Sequence, residues 1–384
     1  MKTEKLYDSD SHIHRFTASV IDCRRSDCGY EIILDKTAFF PEGGGQPADT
    51  GSIGGIQVND VQITDGEIIH YTDKPLNIGE SAECEIDWNR RFRRMQNHSG
   101  EHIFSGIVHK LYGYDNVGFH MGDDVTVDFN GELTREQLLD VEKIANEAIY
   151  KNVKFTCEYP DEETLKNLNY RSKLELTENV RIVTIDGYDV CACCAPHVYS
   201  SGEIGIIKIL DFARHRGGVR IHMLCGTDAL EDYEIKYINL RAVANALCTK
   251  QNETAQGFER FSEEHGELKA ELAAVKKELA QLKASQIEES DDCILIFESD
   301  ADMNDLRKTV LAGAEKTTKL CGGFCGNDKS GYRYVIASKT INLREAAQAV
   351  NSALNGRGGG SPELLQGSAA TTEAEINKFF KENF

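Results

Sequence analysis

Two short pairs of metal-type residues constrain this chain more than any other feature of its 384 residues. His98-Ser-Gly-Glu-His102 lies where Met95, His98, His102, Ile103, Ile107 and Leu111 recur at helical spacing, with no proline between them. Residues four apart share one helical face, about one turn apart, so both imidazoles can reach one ion. Cys193 and His197, within CACCAPH (191–197), are also four apart and follow the strand-like RIVTI and the turn DGYD. Histidine is infrequent, 11 in 384, yet these motifs carry His or Cys in matching pairs. The residues point to zinc, one ion per chain. The bland alternative makes Cys191, Cys193 and Cys194 small buried residues and His197 a satisfied core histidine; it leaves the matched spacing without a reason. Glu101 also fits HSGEH to the H-x-x-E-H pattern of a zinc peptidase. Such enzymes take a distal Glu as third ligand and no Cys-x-x-x-His, so the thiolate argues against one.

Around these pairs the pattern predicts an α+β multidomain chain. Residues 1–92 read as a small β-barrel: EIILD, IQVNDVQI and EIIHYT are short strand-like runs between Gly, Asp and Asn turns. Residues 93–228 combine the His-bearing helix, an amphipathic helix REQLLDVEKIANEAIY (135–150) and strands at RIVTI, IGIIKIL and RIHMLCG. Residues 229–290 form a helical arm. Phe261, His265, Leu268, Leu272, Val275, Leu279 and Leu282 make a heptad seam. Its mate is either the preceding helix, around Leu230, Tyr237, Leu240 and Leu247, or a second chain, which would make a homodimer. Residues 291–384 alternate strands (CILIF, RYVIAS) with helices (REAAQAVNSAL) and break at NGRGGGSPE.

The formal charge is −20, which argues against indiscriminate binding to nucleic acid or anionic membranes. That charge is uneven: residues 292–384 hold 11 Lys+Arg and 12 Asp+Glu, so nearly all the excess lies before them. Two basic islands interrupt it, one of Arg90, Arg91, Arg93 and Arg94, the other of Arg214, His215, Arg216 and Arg220. They read either as local binding patches or as solvated salt-bridge partners. The start MKTEKLYDSDSHIHRF has no apolar leader, and no apolar run approaches membrane-spanning length. A reducing cytoplasm is expected, where clustered cysteines signal metal or thiol chemistry.

His98-x-x-x-His102 with Cys193-x-x-x-His197 resembles the editing domain of alanyl-tRNA synthetases and of the free-standing alanyl-tRNA editing proteins, the AlaX class. TAFFPEGGGQPADTG (37–51) resembles that family's glycine-rich motif, and the arginines before His98 and HVYSSGEIGIIKI after the second pair are similar too. NSALNGRGGGSPELLQGSA (351–369) resembles the C-terminal DHHA1 domain of the synthetase and the long AlaX form. The resemblance implies hydrolysis, in trans, of the ester joining serine, or glycine, to alanine tRNA. A second site of this kind supplies discrimination that size alone cannot. With no aminoacylation domain ahead of the barrel and no DHH motif, neither tRNA charging nor phosphoesterase activity is expected.

The resemblance and the chemistry of the residues together suggest roles for single residues. His98, His102, Cys193 and His197 would hold zinc, Thr37 would bond the serine hydroxyl, and Glu101 would act as base or outer-shell group. Gln46, in the glycine loop, would border the pocket. His120, in GFHMG, stands where the synthetase carries Gln. Arg91, Arg93, Arg94, Arg216, Arg220 and Arg357 would contact tRNA. Cys194-Ala195-Pro196 departs from the Gly-Gly-Thr of the synthetase, so a neighbouring cysteine remains an alternative ligand to Cys193. Four protein ligands usually close a structural site. A zinc-stabilised tRNA-binding or dimerising module without catalysis is therefore the competing reading.

Overall fold

The short runs of the first ninety residues close on themselves. The computed structural model describes residues 3–26, 29–122, 125–172 and 180–384. Its closed barrel runs in the order Arg15–Ser26, Gly29–Leu34, Glu67–Thr72, Ile56–Thr64, Gly51–Ile53 and Ser81–Ile86. Ser81–Ile86 shows why: Ala82, Cys84 and Ile86 are buried and alternate with exposed neighbours, the period of a strand with one face inward. Val20, Ile32, Leu34, Ile53, Val58 and Val61 fill the interior.

The His-bearing helix spans Trp88–Tyr112. It starts ahead of the apolar period because Asp87 caps it, accepting from the backbone N–H of Arg90. Gly113 ends it in the left-handed conformation, φ 71°. Met95, Ile103, Phe104, Ile107 and Val108 bury its inner face. The four-stranded sheet beside it runs Ile207–His215, Gly218–Cys225, Val125–Phe129, Asn116–Met121, and its core also takes in the helix Arg135–Tyr150. A separate three-stranded sheet, Phe155–Glu158, Ile182–Ile185 and Asp189–Ala192, delivers the chain into the second ligand pair.

Contacts divide the chain into Met1–Asn239 and Leu240–Phe384. The expected borders 1–92 and 93–228 therefore fall inside one unit. The reason is local: the Arg91 guanidinium, fully buried, reaches Asp49 and the carbonyls of Ser11 and Ala38. Barrel and helix share that ion pair.

In the second unit, the helix Thr254–Gln286 carries the heptad seam. Phe261, Leu268, Leu272, Val275, Leu279 and Leu282 are each more than half exposed. Lys316 Nζ donates to the carbonyls of Ala284 at 2.9 Å and Ile287 at 2.6 Å, satisfying groups at the helix end. A five-stranded sheet follows, ordered Ile294–Glu298, Cys321–Asn327, Gly331–Ala337, Leu364–Ala369, Arg357–Gly360. The glycine run read as a break is thus an edge strand, paired antiparallel from Arg357 opposite Ser368 to Gly360 opposite Leu365. Packing overrides local propensity there. A Cβ on Gly358 would stand 2.2 Å from the Tyr334 hydroxyl. Among the described residues, no helix is long and apolar enough to cross a membrane.

Candidate metal centre

The helix presents His98 and His102 on one face, and the segment after Asp189–Ala192 brings Cys193 and His197 against them. All four ligand atoms lie within 4.8 Å of one another. Cys193 Sγ is 3.5 Å from His98 Nε2 and 3.4 Å from His197 Nε2. His98, His102 and His197 are almost fully buried. Three imidazoles and a thiolate at this spacing fit a tetrahedral zinc donor set.

Each ring is held from behind through Nδ1. His98 meets Gln46 Oε1 at 3.0 Å, His102 meets Asp189 Oδ2 at 3.0 Å, and His197 meets Ser99 Oγ at 3.1 Å. Outer partners of this kind fix tautomer and ring direction, leaving Nε2 to face inward. Asp189 is itself clamped by Arg171, at 2.8 Å to each carboxylate oxygen. Gly106 makes the approach possible, since a Cβ there would lie 2.3 Å from the Tyr188 carbonyl. The segment 193–195 hangs on Arg181, whose guanidinium donates to the carbonyls of Cys193 and Ala195 at 3.0 and 2.8 Å. Phe119 and Phe155 pack on His98 and His197, at 4.9 and 6.1 Å between ring centres.

The electrostatics favour a thiolate among imidazoles. Burial alone would push the Cys193 thiol up, but His98 and His197 outweigh it and hold its pKa well below the ordinary value. Burial would push the His102 imidazolium down; bonds to Asp189, Cys191 and Cys193 reverse this. His197 follows burial, and its pKa is pushed down to about 3. Asp189 stays ionised because His102 and Arg171 overcome the cost of burial. Replacing Asp189 by Asn should weaken metal binding at these four residues about 10- to 100-fold. Competition against a chromophoric chelator reads this, and unchanged affinity would remove Asp189 from the site.

Other sequence candidates lie elsewhere. Glu101 is on the shoulder of the helix, buried, and its Oε1 accepts from Ser105 Oγ and Asn116 Nδ2. His120 is exposed, on the strand Asn116–Met121. Its neighbour Phe119 packs against His98, and successive strand side chains point to opposite faces. His120 therefore faces away from the four ligands, level with Thr126 and His222 across the sheet. Cys194 Sγ lies 3.7 Å from where a Cβ of Gly44 would stand, against the glycine turn.

Thr37 is fully buried against the barrel. His70 Nδ1 faces the Ile32 carbonyl at 3.0 Å and so carries the ring proton, leaving Nε2 to accept from Thr37 Oγ1 at 2.8 Å. Thr37 Oγ1 in turn accepts from the Phe39 N–H. Burial lowers the His70 pKa to about 4. An unfolded histidine binds its proton near pH 6.5, whereas the folded one refuses it down to about 4. Its contribution is complete above pH 6.5 and is lost as pH falls through that window, by roughly 3 kcal/mol. Urea midpoints at pH 7 and 4.5, compared with those of His70→Gln, measure this; an equal acid loss in both proteins contradicts it.

The basic islands are largely spent within the fold. Arg91 is enclosed with Asp49 and has no surface to offer. Arg93 pairs with Asp228 and Glu231, and Arg220 holds Asp128 with two bonds of 2.7 Å. Arg94 is bonded to the carbonyls of Pro47 and Ala48, and burial lowers its pKa to about 10. Arg216, at a hairpin turn with φ 45°, and Arg357, on the edge strand, are exposed. Asp189, Arg171, Ser99 and Arg181 escaped the sequence reading. Only Asp189 had a signal, a carboxylate just ahead of the cysteines, and no spacing rule aims it at His102.

Residues 11–90 match the model described as tRNA synthetases class II (A), and residues 180–222 match the threonyl and alanyl tRNA synthetase second additional domain. The alanine–tRNA ligase of Halobacterium salinarum is 32% identical over 81% of this chain but only 36% of its own length. That of Pyrococcus abyssi is 30% identical, over 95% of this chain and 42% of its own. The chain thus spans less than half the length of these ligases. The alanyl-tRNA editing protein AlaX-L of Pyrococcus horikoshii is 29% identical over 97% of this chain and 96% of its own. The chain is thus similar to that editing protein along both lengths, whereas it matches less than half of each ligase.

Proposed function

We propose that the protein is a trans-editing hydrolase that removes serine, or glycine, from mischarged alanine tRNA at a zinc centre. One observation carries the reading: three imidazoles and one cysteine converge on one point, in a chain that aligns end to end with an alanyl-tRNA editing protein. His98, His102, Cys193 and His197 hold the metal; Gln46, Asp189 and Ser99 orient the rings, and Phe119 and Phe155 keep bulk water from them. When bound, zinc supplies Lewis acidity at the reacting ester. Glu101 acts outside the ligand set, through the helix. Thr37 contributes through the barrel wall, its hydroxyl direction set by His70.

Contact with tRNA falls to exposed cations, with Arg216 and Arg357 foremost. A DHHA1-like second unit would take the tRNA away from its acceptor end, adding affinity by effective concentration rather than charge density. The exposed heptad seam takes a second copy of the chain, giving a homodimer.

A competing reading has one observation in its favour. Four protein ligands make a closed set, as in structural zinc sites, which suits a tRNA-binding module without catalysis. Incubating the protein with alanine tRNA charged with serine, glycine or alanine separates the two. Release of serine with alanine retained supports editing; intact binding with no release supports the module, and cleavage of a peptide control would point to a peptidase.

A further inference from the structure

The side-chain amide of Gln46 uses only one of its two polar atoms. Gln46 is fully buried beside the ligand helix. Its Oε1 lies 3.0 Å from His98 Nδ1, while its Nε2 is buried with no hydrogen-bond partner. An amide can be turned end for end, so the direction needs an argument. His98 Nε2 converges with the other three ligand atoms, and an imidazole nitrogen that binds a metal is unprotonated, so Nδ1 carries the ring proton and requires an acceptor. The oxygen of Gln46 must face His98, and the NH2 group is left over by necessity. Buried polar groups without partners are rare and call for an explanation.

The backbone holds Gln46 firmly in this pose. Gly43 and Gln46 exchange two hydrogen bonds of 3.0 Å across a tight turn, with Gly44 and Gly45 at φ 61° and 83°. The Gly45 carbonyl accepts from the Met121 N–H, and a Cβ on Gly45 would stand 2.4 Å from the Phe119 carbonyl. A turn that needs glycine at both central positions, stapled to the strand that packs on His98, fixes one side chain next to the metal ligands. Such a device suits a group that must be aimed.

We infer that Gln46 is the hydrogen-bond donor this site offers to the reacting acyl group: its oxygen positions His98, and its NH2 binds the carbonyl oxygen of the aminoacyl ester. This deepens the deacylase reading and rests on it. Water adds to the carbonyl carbon, and the π pair moves onto the oxygen that Gln46 faces. The tetrahedral species then collapses, the bond to the ribose oxygen breaks, and that oxygen takes up the proton lost by the water. The products are free amino acid and tRNA with its terminal hydroxyl restored. A fixed donor of this kind is worth most where negative charge develops.

The test uses full-length Gln46→Glu, which keeps an acceptor for His98 and removes both N–H donors, with Gln46→Ala beside it. Zinc content, the visible spectrum of the cobalt-substituted protein, and kcat and KM for serine-charged alanine tRNA are measured. The expected result is a fall in kcat of about 100- to 1000-fold in Gln46→Glu, with KM, metal content and cobalt bands unchanged. Wild-type kcat in Gln46→Glu overturns the inference and leaves the deacylase reading intact. So does a loss that follows altered cobalt bands or lost metal, since Gln46 would then only position His98. A wild-type protein that releases no serine at full zinc occupancy overturns the reading, and the inference with it.

Discussion

Cys193→Ala should lose zinc and serine release together, whereas Cys191→Ala and Cys194→Ala should keep both. The three cysteines stand within four residues of one another, and the sequence spacing favours Cys193 without excluding its neighbours. Cys193 is the one whose sulfur meets His98 and His197 at 3.5 and 3.4 Å. Cys191 groups with His102 and Asp189 and not with His98 and His197, and Cys194 lies on the glycine turn. Losing a direct ligand should cost more than the roughly 10- to 100-fold typical of an outer partner. Affinity for the folded state is also stability, so the melting temperature of the zinc-loaded protein should fall with it. Atomic absorption on the three purified variants decides the matter. Full zinc content in Cys193→Ala, or its loss in Cys191→Ala, would move the ligand assignment.

Arg91→Ala should destabilise the protein by about 3–5 kcal/mol, the cost of leaving one half of a buried ion pair alone. Neither side chain is more than 1% exposed, and the same guanidinium serves the Ser11 and Ala38 carbonyls. An exposed phosphate-binding arginine would cost under about 1 kcal/mol. Urea unfolding of the full chain separates the two, because the effects differ several-fold. Replacing both partners with apolar residues, as in Arg91→Met with Asp49→Leu, should cost less than Arg91→Ala, since no charge is then stranded. A midpoint unchanged in Arg91→Ala would contradict the burial and return Arg91 to the surface.

These two cases mark what a sequence reveals here and what it hides. The ligand pairs were legible because helical spacing is local, and one turn separates His98 from His102 whatever the rest of the fold does. The seam of the helix Thr254–Gln286 and the helix Arg135–Tyr150 were legible for the same reason. Arg91 was not, because its partner lies 42 positions away and a run of arginines looks the same whether buried or solvated. Asp189 meets His102 across 87 positions, and no periodicity connects them. His120 could have been placed: an apolar Phe119 turned inward sends its neighbour outward. The strand Arg357–Gly360 was hidden by glycines that local propensity assigns to a loop and that tertiary pairing uses in a sheet. Acidity, too, proved a poor guide by itself. Within the two basic islands, Arg91, Arg93, Arg214 and Arg220 are paired with the chain's own carboxylates, so a run of arginines in the sequence does not by itself mark a binding surface.

Zinc at His98, His102, Cys193 and His197 is proposed to serve hydrolysis of mischarged tRNA. This role is tested most directly by stripping the protein with a chelator, adding zinc back in steps, and following serine release from serine-charged alanine tRNA at each step. The expected rate rises with occupancy and levels off at one zinc per chain, with alanine-charged tRNA left intact throughout. Release that ignores zinc content, or no release at one zinc per chain, would contradict it.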